Sequence, residues 1–156
     1  MKGFKKFLVL ALVSAVALVA TVDAQAINSP FHSVNYWLTS DIRTTTQNLA
    51  DQTGIYAQGI RVVCVVSAAS GTGGLIVKLQ GKEPQSGTYY DVAATLNNTS
   101  TGVITLLAGE GIWNQAATPN FVAANYYMPY MWRVQVLHGD ASSYTYDCTY
   151  TLRAAQ

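Results

Sequence analysis

The residues able to do chemistry are few. Cys64 and Cys148 are the only cysteines, and His32 and His138 the only histidines. Carboxylates for glycoside hydrolysis or other acid–base work would come from Glu83, Asp91, Glu110, Asp140 and Asp147. A metal site would need the histidines to converge with such groups. His138 has Asp140 close by, but in a His138-Gly139-Asp140-Ala141 turn, where an aspartate commonly serves the turn through its own side chain. Glu83 flanks a second turn and Asp147 lies on the polar face of a strand, so solvation explains both. No G-x-S-x-G elbow raises a serine to a nucleophile. The glycine-rich Ala68–Gly74 lacks the Lys-Ser/Thr and the helix of a phosphate loop. The expectation is a chain that is not an enzyme, with no catalytic residue, no metal ligand and no cofactor.

The cysteines have a different use. Cys148 lies on the apolar face of its strand, and Cys64 shares parity with Ile60, Val62 and Val66, so both can point into one core. In an exported chain an even pair invites a disulfide; the alternative is two buried thiols packed as small hydrophobes. Export is the reading of the first 26 residues. Lys2, Lys5 and Lys6 precede an apolar run from Phe7 to Val22, and Ala24-Gln25-Ala26 follows as a small-x-small site. This is the pattern of a secretory signal peptide cleaved after Ala26, and the only membrane contact foreseen is through that segment if it is retained. Residues 27–156 are then expected to form one domain, an adequate length for an ordinary core. Asn97-Asn98-Thr99 and Asn98-Thr99-Ser100 both match the N-glycosylation acceptor, relevant only on a eukaryotic secretory route.

Half of the chain is apolar but only 11% is charged, well under the usual share of about a quarter. Without Lys2, Lys5, Lys6 and Asp23, six basic side chains face seven acidic ones. That balance supplies no cationic footprint for nucleic acid. Thr, Ser, Asn, Gln and Tyr carry the polarity instead, which suits contacts with proteins or sugars. Ten tyrosines and three tryptophans are an enrichment. Trp132, Tyr144, Tyr146 and Tyr150 fall on alternating positions that read as core. Trp113, Tyr126, Tyr127 and Tyr130 lie in or beside a long irregular stretch and are the candidates for surface contact, since aromatic rings bring large area at small entropic cost.

The elements that would position these residues are strands. Val34, Tyr36 and Leu38 alternate with Asn35, Trp37 and Thr39. Ile60–Ser67 is apolar at almost every position, as expected of a central strand covered on both faces. Leu75–Val92 reads as a hairpin closed through Pro84-Gln85-Ser86-Gly87, with Gly87 supplying a positive φ. Leu75, Val77 and Leu79 face one way, and on the return Tyr89, Asp91 and Ala93 oppose Tyr90, Val92 and Ala94. Val103–Leu107 follows a turn. Ala108–Asn125 reads as a loop with a short strand at Phe121–Ala123. Trp132, Val134 and Val136 then run out to the 138–141 turn, and Tyr144, Tyr146, Cys148, Tyr150 and Leu152 run back on one face. About seven or eight strands, with no amphipathic helix after the signal-peptide helix, predict an all-β, antiparallel β-sandwich of jelly-roll or immunoglobulin-like type.

Three motifs in order carry a resemblance: Gly59-Ile60-Arg61-Val62-Val63, the Lys78–Asp91 segment KLQGKEPQSGTYYD, and the Met131–Ala141 segment MWRVQVLHGDA. Together, over about residues 59–153, they resemble small tailed-bacteriophage structural proteins of the head, tail or decoration type. The resemblance implies a non-enzymatic β-sandwich at a virion surface, with capsid or tail subunits, or further copies of itself, as partners. The second expectation, from composition, is a secreted module that recognises a glycan or cell-surface partner through its loop aromatics.

Overall fold

In the computed structural model, residues 31–53 and 57–154 are described. The expected signal peptide and the link to Pro30 lie outside them, as does most of the short piece at Ile55–Ala57. The described chain is all strand and loop. The strands are β1 (Phe31–Arg43), β2 (Gln47–Asn48), β3 (Gln52–Thr53), β4 (Ala57–Ala69), β5 (Leu75–Lys82), β6 (Tyr89–Ala94), β7 (Gly102–Gly109), β8 (Phe121–Asn125), β9 (Met131–His138) and β10 (Tyr144–Ala154). One sheet has the order β1-β10-β4-β7-β8; the other is β2-β9-β5-β6, with β3 also on β9. Their inner faces meet in a core to which both contribute: Ile60, Val62, Val66, Ile104, Leu106, Tyr144 and Tyr146 from the first, Leu75, Val77, Leu79, Trp132, Val134 and Val136 from the second. The two-layer sandwich predicted from alternation is present.

The pairing is nested. β1 pairs with β10, β2 and β3 with β9, β4 with β7, and β5 with β6, all antiparallel. The chain therefore behaves as one long hairpin, closed at the β5–β6 turn and rolled so that successive segments alternate between sheets. At that turn Gly87 has φ 70°, and its N–H donates to the Glu83 carbonyl at 2.8 Å, as its sequence requires. The cysteines stand directly opposite each other on neighbouring strands β4 and β10, joined as a disulfide across 84 positions of sequence.

Four expectations need correction. β9 and β10 are not neighbours: the 138–141 turn crosses from one sheet to the other, and β9 pairs with β2, β3 and β5. β8 runs parallel to β7, because the 110–120 link returns to the starting end and lays Gln115 against the outer edge of Ala123. Register shifts break two alternations. In β6, Ala93 faces Leu79 and Asp91 faces Gln80, so Val92 is passed over and Ala93 turns inward while Tyr89 and Asp91 stay outward. In β1 the pairing skips Trp37, so Trp37 and Leu38 both pack on the core while Val34 and Tyr36 are exposed. Finally, β4 is central but covered on one face only, since Arg61 and Val65 are exposed.

Candidate functional site

β4 begins, and β5, β7 and β8 end, at one end of the sandwich. There Gly59 pairs with Gly109, Gly109 with Asn125, and Gly81 with Trp132. The loop after β7 is pinned to the last residue of β8. Asn125 Oδ1 accepts from Gly111 N–H at 3.2 Å, Asn114 Oδ1 accepts from Asn125 N–H at 2.6 Å, and Tyr126 N–H donates to the Gly109 carbonyl at 3.2 Å. Gly111, at φ 72°, makes the bend that returns the loop toward Asn125. Trp113 is thus carried on a tied loop at this end, and it is 90% exposed. The 126–130 link carries Tyr127, 74% exposed, and Tyr130, also exposed, across to β9. All four candidate aromatics gather at this end.

A fifth ring joins them without having been singled out from sequence. Tyr90, the second residue of β6, lies over Gly81, where a Cβ would collide with its ring and with Cγ of Pro129. Burial raises the Tyr90 phenol above its ordinary value, and Tyr126 and Glu83 add to the rise. The signal was the glycine of the Gln80-Gly81-Lys82 stretch: mid-strand glycine commonly marks a close approach.

Around the corner, the outer face of the second sheet is a closed polar network. Lys78 Nζ meets Asp91 Oδ2 at 2.8 Å, and Gln80 Nε2 donates to Asp91 Oδ1 at 2.8 Å. Arg133 Nε donates to Gln80 Oε1 at 2.9 Å, and its guanidinium stacks 3.5 Å from the Tyr89 ring centre. Lys82 Nζ and the Tyr89 hydroxyl both donate to Asp51, at 2.6 and 2.5 Å. These bonds to Lys82 and Tyr89 hold the Asp51 carboxyl below its usual range. Asp91 is lowered too: burial opposes, but Lys78 and Gln80 together prevail. Every carboxylate in this face is already engaged by donors, an arrangement that rigidifies a surface.

The remaining candidates scatter. His32 enters β1 at the aromatic end, whereas His138 closes β9 at the other. His138 is not the turn residue its sequence neighbours predict: it is buried, with Nε2 3.1 Å from the Tyr146 hydroxyl and Tyr144 edge-on at 5.7 Å. As the last inward position of a strict alternation it follows Val136 into the core. Burial chiefly, with Arg43, lowers its pKa, opposed in part by the Ser142 backbone and Asp140. Asp140 itself accepts from Ser142 N–H at 2.8 Å, the turn role expected of it. Asn98 is buried, its amide donating to Asn120 Oδ1 at 3.0 Å and its own Oδ1 accepting from Ser100, so that acceptor motif is occupied by the fold. Among the described residues no three His, Cys, Asp or Glu side chains gather as metal ligands.

No known protein-family model matches the chain, and no curated protein matches it.

Proposed function

We propose that this protein is a non-enzymatic structural module of the kind found at a virion surface, attaching to other protein subunits through the aromatic end of its sandwich. The observation that carries this reading is the convergence of Trp113, Tyr126, Tyr127 and Tyr130, all exposed, on one end. Rings on tied loops lose little freedom on docking, so a small uncharged patch can supply a binding hot spot. The nested strand pairing supports a jelly roll rather than an immunoglobulin-like sandwich, and jelly rolls recur in capsid and lectin domains. The Cys64–Cys148 bridge is consistent with maturation in an oxidising compartment, so the module meets its particle after export. Density-gradient sedimentation of material from the producing culture tests this: the protein should travel with particles, and Trp113→Ala combined with Tyr127→Ala should leave it at the top. Recovery solely as free protein in the medium refutes it.

A second reading draws on one further feature of the same end. The amide oxygens of Asn114 and Asn125 tie the loop that carries Trp113, so an exposed ring stands in a loop with polar side chains, the setting in which an aromatic face stacks on a pyranose ring. On that reading the partner is a glycan, and array binding should vanish in Trp113→Ala. Unchanged binding in that variant removes the site.

A further inference from the structure

Among the described residues, nothing covers the outer face of the first sheet. Tyr36 on β1 is 81% exposed, Val103 on β7 51% and Val65 on β4 38%. The cross-strand row Tyr36–Thr149–Val63–Thr105 runs along it from β1 to β7 without a charge. The second sheet presents the opposite picture, with its outer face filled by the network around Asp91 and Arg133. Apolar residues belong on both faces of a strand when both are covered, and here the chain itself covers one.

Two charges mark how the open face is completed. About the central Val63–Thr149 pair, Arg61 lies two residues to one side on β4, and Asp147 two residues to the other side on β10. Four positions of rise and one strand spacing put them roughly 13 Å apart along the strands and about 5 Å across. That is beyond ion-pair reach within one chain, and among the described residues neither side chain takes part in a hydrogen bond or salt bridge. A two-fold axis lying in the plane of the face, across the strands at the level of Val63, turns Arg61 of one copy to the level of Asp147 of another, and the reverse. The same operation sets Val103 against Leu107. Such self-complementarity is the mark of an isologous contact.

We propose that this face packs against the same face of a second copy, forming a two-fold dimer centred on Val63 with reciprocal Arg61–Asp147 pairs. Five strands about 4.8 Å apart, over about eight residues of rise, give a face of roughly 600 Å², at the lower limit of what each partner buries in a standard interface. The aromatic end points along the strands, away from this contact, so a dimer carries two attachment ends.

Sedimentation velocity and light scattering over a dilution series, on the protein as isolated, test the proposal. Val65→Lys should weaken self-association by about 10-fold or more, as should Arg61→Glu or Asp147→Arg singly. The double variant Arg61→Glu with Asp147→Arg should recover to within about 3-fold of the parent, because each reversed charge then meets its reversed partner. Far-UV circular dichroism and melting confirm that these outward-facing changes leave the fold intact. A protein monomeric up to about 1 mM overturns the proposal. So does a swap no better than its single variants. If a monomer loses particle association through Val65→Lys, the face belongs to a different partner and the second copy is ruled out.

Discussion

Removing the Cys64–Cys148 bridge, by replacing both cysteines with alanine, is the sharpest test of how this sandwich is held. The bridge spans 84 positions and joins β10 to β4, the central strand of the first sheet. In the chain-entropy description, closing a loop of that length in the unfolded state is worth about 4.5 kcal/mol, and measured native bridges more often deliver about 2–4 kcal/mol. The native side should change little. Pairing continues on both sides of the cysteines, from Thr149 with Val63 to Asp147 with Val65, so the register does not depend on the covalent link. Over the roughly 120 described residues, an unfolding entropy of about 2.1 cal/mol/K per residue converts 2–4 kcal/mol into a fall of about 8–16 °C in Tm. The assay is a pair of thermal melts, parent and double variant, followed by near-UV circular dichroism at 20 °C, alongside thiol titration of the denatured parent. The native spectrum should persist while the midpoint drops. A fall under about 3 °C, corresponding to less than about 1 kcal/mol, would refute the loop-closure reasoning, as would two titratable thiols in the parent.

Two further outcomes follow from the packing. His138 is held neutral by burial, so its folded pKa lies below the ordinary 6.5. The neutral ring's contribution is complete above pH 6.5 and is lost as pH falls toward the lowered value, because the unfolded chain binds the proton first. Melting followed from about pH 7 to about pH 5 should show that decline, well before Asp51, Asp91 and Asp140, all lowered from 3.8, begin to titrate. His138→Gln, neutral throughout, should flatten it, and an equal slope in both proteins removes the assignment. At the aromatic end, Gly81→Ala should cost about 1–3 kcal/mol, since the new methyl must displace Tyr90 or Pro129. An unchanged Tm with an unchanged tyrosine near-UV signal would show that Tyr90 does not lie over Gly81.

Much of this architecture could be read from period and turn chemistry. The β5–β6 hairpin follows from alternation on either side of Pro84-Gln85-Ser86-Gly87, and the inward rows of β4, β9 and β10 from parity, which also put Cys64 and Cys148 in one core. Loop composition pointed to Trp113, Tyr126, Tyr127 and Tyr130 as exposed rings. Parity tells which way a side chain points, but it does not say which strand lies alongside. An arch between sheets and a turn within one sheet have the same local pattern, so β9 and β10 read as adjacent when they stand on opposite layers.

What the sequence determined by itself was local: the strands, their inner faces and the hairpin turn, because side-chain period and backbone preference act within a few residues. The tertiary structure alone decided the rest. It set the bulges at Trp37 and Val92, since register belongs to the partner strand. It buried His138 through its place at the end of an inward row. It left one face of β4 open, which β-branched residues cannot announce because they favour strands whether covered or bare. And it brought Trp113, on the link after β7, to the same end as Tyr126, Tyr127 and Tyr130, on the link after β8, because β7 and β8 run parallel and finish together.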